Sequence, residues 1–166
     1  MKERSGKATF QGAPLTLLGE EVRVRQKAPD FELLTNSLSK VTLADFKGKV
    51  KVICAVPSLD TPVCDLEIKR FNQEAEKLSD KIAVLFVSMD LPFAQGRFCQ
   101  SFHIGKVTTL SDHALASFGL NYGVLIKELR LLSRAVFIID EADTIFYAEY
   151  VKEITQHPYY EKILKL

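Results

Sequence analysis

The chain has 166 residues, 47% of them hydrophobic, with 22 basic against 21 acidic side chains and a net charge of +1. That size and apolar content suit one domain over residues 1–166 with a real core. The charges are well mixed with no Lys/Arg block, which removes the electrostatic case for nucleic acid or an anionic membrane.

Ala8–Phe10 and Leu15–Leu18 read as two short strands joined by Gln11-Gly12-Ala13-Pro14, an N-terminal β-hairpin over about residues 7–20. Phe31–Leu34 is extended. Lys49–Val56 alternates, which places Val50, Val52, Cys54 and Val56 on one face of a strand that ends at Pro57. Pro62–Leu78 reads as an amphipathic helix, with Cys64, Ile68, Phe71, Ala75 and Leu78 on one side and Asp65, Lys69, Arg70 and Glu74 on a solvated one. Ile82–Val87 and Ala135–Ile139 are near-continuous apolar runs of the kind found in central strands covered on both faces. Helices are expected at Pro92–Phe102 and His113–Phe118 between them, and at Pro158–Lys165. Thr144–Val151 pairs with Ala135–Ile139 through the turn at Glu141-Ala142-Asp143. The order is that of an α/β protein, a sheet layered by helices, without repeats or linkers.

The charged N-terminus is not followed by an apolar h-region, and no apolar run is long enough to span a bilayer. A reducing, cytoplasmic setting is therefore expected, in which each of the three cysteines is either a buried hydrophobe or an active thiol. The informative segment is Pro57-Ser58-Leu59-Asp60-Thr61-Pro62-Val63-Cys64, which leaves a strand and enters a helix. Thr61 suits the N-cap and Pro62 the first helical position, where proline's missing donor is harmless. Cys64 then falls in the first turn, where unpaired N–H groups and the helix dipole favour the reactive thiolate. Packing on the apolar stripe is the competing role for Cys64, and Cys54, mid-strand among valines, reads as core.

Cys99 stands in the second predicted helix, and spacing alone leaves open whether it reaches Cys64. A thioredoxin-type dithiol oxidoreductase needs Cys-x-x-Cys, and the first of those positions is Thr61 here. A redox sensor using the same thiol remains an alternative. Cys99, His103 and His113 lack a fourth ligand for a metal site; the two histidines read as surface residues, and His157 as a capping residue beside Pro158. Phe93, Phe98, Phe102 and Phe118 read as packing in the core or against a partner. No Gly-rich phosphate loop follows a core strand, so no nucleotide or flavin cofactor is expected.

The Pro57–Cys64 segment, Asp90-Leu91-Pro92-Phe93-Ala94-Gln95 through Arg97-Phe98-Cys99, and Thr109-Leu110-Ser111-Asp112 closely resemble the bacterial thiol peroxidase family, the atypical two-cysteine peroxiredoxins. So do Phe118-Gly119, Asn121-Tyr122-Gly123-Val124 and Arg134-Ala135-Val136-Phe137, and the likeness runs in order from about Phe10 to the C-terminus. The resemblance implies a thioredoxin-like fold, a central mixed sheet flanked by helices with an added N-terminal hairpin. It implies a peroxidatic Cys64, a resolving Cys99 that closes an intramolecular disulfide, Thr61 and Arg134 orienting and polarising the peroxide, and Pro57 shielding the thiolate. It further implies hydrogen peroxide and alkyl hydroperoxides as substrates, thioredoxin as reductant and a homodimer; with no phosphate loop in the chain, no cofactor beyond the enzyme's own sulfur is expected. Ala55, Ile68 and Gln26 depart from residues common in that family, and none of them removes a reacting group.

Overall fold

Short runs of Val, Ile and Phe that need covering on both faces organise the chain. The computed structural model describes residues 1–165, so Leu166, the last residue of the expected domain, lies outside the described residues. Strands β5 (Val50–Ala55), β6 (Ile82–Ser88) and β9 (Ala135–Ile139) form the centre of a seven-stranded sheet. Its order is β10-β9-β5-β6-β7-β3-β4, where β10 is Ile145–Tyr150, β7 Thr108–Ser111, β3 Glu32–Leu34 and β4 Lys40–Thr42. The sheet is mixed: β5 runs parallel to β6 and β6 to β7, while β9 is antiparallel to both β5 and β10. A second sheet pairs β1 (Glu3–Phe10) with β2 (Ala13–Leu18) as a hairpin, and β2 with β8 (Leu125–Ile126).

Side chains on alternate faces of the central strands enter two separate cores. Val52, Cys54 and Val56 of the β5 segment, Val84 and Phe86 of β6, and Val136 and Ile138 of β9 pack under helices α1 (Pro62–Ala75), α2 (Pro92–Ser101) and α4 (Tyr160–Leu164). Ile53, Ala55, Leu85, Val87 and Phe137 point the other way, toward Phe31, Phe118, Tyr122 and Val124 around α3 (Ser117–Asn121). This is the layering that the resemblance implies, with the N-terminal strand pair docked beside it. The docking depends on two glycines in the left-handed region, Gly19 (φ 91°) and Gly123 (φ 69°). A Cβ at either would strike backbone: Leu120 O at Gly19, Glu20 O at Gly123.

Several expectations are corrected. The hairpin's first strand begins at Glu3 rather than Ala8, although Gly6 (φ 73°) sits at a bulge within it. The helix expected at His113–Phe118 starts only at Ser117, because Ala116 takes a left-handed turn (φ 52°) and the Asp112 carboxylate accepts the N–H groups of Phe118 (3.2 Å) and Gly119 (2.8 Å). α1 ends at Ala75, short of Leu78, and α4 begins at Tyr160, two residues past Pro158. Strands β4, β7 and β8 and a 3-10 turn at Leu43–Phe46 have no counterpart among the expected elements.

Candidate active site

The end of β5 delivers the chain to buried Pro57 and then to a loop held by Asp90. Asp90 Oδ1 accepts from the Ser58 hydroxyl (2.7 Å), and Oδ2 accepts from Leu59 N–H (2.9 Å) and the Ser88 hydroxyl (2.8 Å). Leu59 is buried beneath this loop, so its exit angle into α1 is fixed. Thr61 is the N-cap by backbone conformation, with Pro62 at the first helical position. Its side chain does not cap, however: Thr61 Oγ1 donates to Ser58 O at 2.9 Å. That leaves the hydroxyl oxygen as an acceptor.

Cys64 occupies the third helical position, one of the four whose N–H groups find no carbonyl within the helix. Its side chain has 0% exposure. Arg134, just ahead of β9 and itself 1% exposed, donates from Nη2 to Cys64 Sγ at 3.0 Å. The same guanidinium donates from Nη1 to Glu67 Oε2 (2.8 Å) and from Nε to Ile154 O (3.0 Å), so all its nitrogens are engaged and its plane is fixed. A guanidinium N–H is thus aimed at a sulfur that is itself shut off from solvent.

Sequence reasoning missed Glu67. It is fully buried, its Oε1 has no partner, and burial pushes its carboxyl up to about 7 against the opposing pull of Arg134. The available signal was its spacing: Glu67 follows Cys64 by three and precedes Ile68, so it lies on the helix's apolar stripe rather than the solvated face. Asp90 was likewise visible only as part of a motif. Cys54 is buried on β5 opposite Val136 and Phe86; burial first, and Glu67 second, hold its thiol well above the usual range.

Cys99, near the C-terminal end of α2, is partly exposed and packs against the same apolar cluster that buries Cys64. The three cysteines are free thiols, so the expected disulfide is not formed in this structure. The contact made by Cys99 is with Thr109 Oγ1, 3.5 Å away. The other marked residues divide by burial: Phe98 and Phe118 are core, Phe93 (69%) and Phe102 (46%) are exposed, and so are His103 and His113. His157 bonds Tyr160 Oη through Nδ1 at 2.5 Å instead of capping backbone. Asp65 and Lys69 of the polar face of α1 form an ion pair at 3.0 Å. Among the described residues no cluster of three or more His, Cys, Asp or Glu side chains is arranged to hold a metal, and no helix is long and apolar enough to cross a membrane.

The chain is similar to known proteins of one family. The Redoxin family profile matches residues 23–164. The chain is 58% identical over 154 residues to a thiol peroxidase of Bacillus subtilis, covering 93% of this chain and 92% of that one. It is 57% identical over 156 residues to a thiol peroxidase of Oceanobacillus iheyensis, covering 94% of each. Among solved structures, a peroxiredoxin-like protein from Aquifex aeolicus superposes with a TM-score of 0.90 at 42% identity, covering 98% of this chain and 94% of that one.

Proposed function

The chain belongs to the thiol peroxidase family of redoxins and is a peroxiredoxin-type peroxidase acting on a hydroperoxide, and from that premise we propose how its own residues carry the reaction. Cys64 is the peroxidatic thiol, and the observation that carries this assignment is the Arg134 Nη2 contact at 3.0 Å to its buried sulfur. The Cys64 thiolate attacks one peroxide oxygen. The S–O bond forms as the O–O bond breaks, and the departing hydroxide or alkoxide takes up a proton while sulfur is left as sulfenic acid.

Negative charge moves from sulfur to the leaving oxygen during this step. Arg134, already desolvated and fixed by Glu67 and Ile154 O, stabilises that charge without reorganising. Thr61, whose proton is committed to Ser58 O, accepts the peroxide O–H and so orients the oxidant. Pro57, buried at the end of β5, shields the thiolate from bulk water. Because Cys64 has no exposed surface, the oxidant enters by a small opening of the first turn of α1, where Pro62 is exposed and Thr61 and Val63 are half-buried.

Cys99 is the resolving thiol, condensing with the sulfenic acid to an intramolecular disulfide that thioredoxin reduces by exchange in the cytoplasm. The working form is a homodimer, for which Leu91 (53%) and Phe93 (69%) at the head of α2 offer exposed apolar surface. A thioredoxin-coupled peroxidase assay with mass spectrometry tests the assignment. Cys64→Ser should be inert. Cys99→Ser should give one turnover and stop at a sulfenic acid on Cys64. Steady turnover by Cys64→Ser, or a bridge from Cys54 to Cys99 in oxidised wild type, would refute it.

A further inference from the structure

A second polar arrangement, apart from the Cys64 site, has a direction that bears on Cys99. Cys99 Sγ lies 3.5 Å from Thr109 Oγ1, and Thr109 Oγ1 in turn donates to Asn36 Oδ1 at 2.9 Å. A threonine hydroxyl has a single proton, and here Asn36 takes it. The contact with sulfur therefore runs from the thiol: S–H donates and the hydroxyl oxygen accepts. Asn36 is well placed to enforce this. It sits in the turn between β3 and β4, closed by Thr35 N–H to Ser39 O (2.9 Å), Leu38 N–H to Thr35 O (2.9 Å) and Ser39 N–H to Thr35 Oγ1 (3.1 Å). Thr109 is 3% exposed on β7, and Gly96 of α2 lies against the Asn36 side chain. Asn36, Thr109 and Cys99, with Ile104 and Val107, line a cleft of about 330 Å³.

We propose that Asn36 and Thr109 are positioning residues that hold the Cys99 thiol in its protonated form until α2 opens. A hydrogen bond accepted from the neutral thiol disfavours the thiolate, so Cys99 is kept from reacting with oxidant on its own account. The proposal rests on the resolving role given to Cys99 above. When Cys99 attacks, its sulfur bonds to the Cys64 sulfur, the S–O bond of the sulfenic acid breaks, and the Cys99 proton leaves with the hydroxyl as water.

The test is iodoacetamide labelling of Cys99 across a pH series, located by mass spectrometry, in the reduced full-length chain carrying Cys64→Ser. Thr109→Val removes the acceptor, and Asn36→Ala releases the Thr109 proton to donate to sulfur. Each should label Cys99 about two- to ten-fold faster at neutral pH, the factor carried by one net hydrogen bond, with the labelling profile displaced to lower pH. Asn36→Ala should add nothing once Thr109 is Val, and Thr109→Ser should behave as wild type. A gain of equal size at every pH, which greater exposure alone would produce, or no gain in either variant, overturns the proposal. Labelling needs no turnover, so its outcome is separate from the resolving role, which fails instead if oxidised wild type contains no Cys64–Cys99 disulfide.

Discussion

Replacing Glu67 by Gln removes a charge from the site while keeping an acceptor for Arg134. Glu67 is fully buried, and burial, opposed by Arg134, raises its carboxyl to about 7. Below that pH the side chain is neutral and Arg134 faces the Cys64 sulfur with its charge undivided. Above it, Glu67 is an anion competing with the thiolate for the same guanidinium. Oε2 lies 2.8 Å from Nη1 and Nη2 lies 3.0 Å from Sγ, which puts the two anions within roughly 8 Å and their repulsion at about 2 kcal/mol for an effective dielectric of about 20. That is a factor of about thirty in the stability of the Cys64 anion. Stopped-flow measurement of peroxide consumption and iodoacetamide labelling of Cys64, both against pH, read it directly. Wild type should show a bend near pH 7 as Glu67 ionises, and Glu67→Gln should lack the bend, converging with wild type at lower pH and exceeding it above. Glu67→Ala, which removes the acceptor, should be slower at every pH because Arg134 loses its brace. If Glu67→Gln keeps the bend, or is slower than wild type throughout, the coupling of this carboxyl to the sulfur is wrong.

Asp90→Ala should cost about 2–3 kcal/mol, since Ser58, Leu59 and Ser88 all lose their acceptor. Thermal unfolding reads that loss, and peroxide consumption should fall with it as the loop feeding α1 loosens. Lys51 is fully buried with its ammonium on Asp143 Oδ1 (2.5 Å) and Asp140 O (3.1 Å), whereas Asp143 keeps access to water. Asp143→Asn, which tolerates the local φ of 61°, should destabilise by about 1–3 kcal/mol in urea unfolding, while Lys51→Met should cost about 1 kcal/mol or less, because only the first strands a buried charge.

The large elements were legible because their burial is written locally. β5 alternates between two cores, and β6 and β9 are apolar on both faces, so period and composition identify all three. β4, β7 and β8, at two to four residues, carry no pattern of their own and exist by pairing with neighbours. The displacement of α3 was hidden for another reason: the Asp112 carboxylate captures N–H groups six and seven residues on, which no periodicity reports. At the site, the first-turn placement of Cys64 followed from Thr61 and Pro62 alone. Arg134, 70 residues further on, came only through the family resemblance, because nothing near it in the chain points to a thiol. Glu67 does not stand out in the sequence because a glutamate in an amphipathic helix is ordinarily solvated, and only its register with Cys64 sets it apart.

Under the proposed Cys64–Cys99 pairing, the helices that bear the two thiols are held unequally, and this difference sets which one should move for the disulfide to close. α1 is anchored by buried Cys64, Glu67, Ile68, Phe71 and Asn72, and by the Arg134 network that spans Glu67 and Ile154. α2 buries Pro92, Gln95 and Phe98, has Gly96 in its interior, and carries Cys99 in its last turn. An interior glycine weakens a helix by about 1 kcal/mol relative to alanine, so the segment from Gly96 onward is the easier to unwind. Gly96→Ala measures this without crowding the site, because a Cβ there would lie 3.6 Å from its nearest neighbour, the Asn36 Cβ. Stabilising α2 by about 1 kcal/mol should slow conversion of the Cys64 sulfenic acid to the disulfide by about five-fold and leave peroxide consumption unchanged. Rapid-quench mass spectrometry resolves the two steps. Unaltered disulfide formation in Gly96→Ala would mean that α2 stays folded during closure and that the first turn of α1 gives way instead.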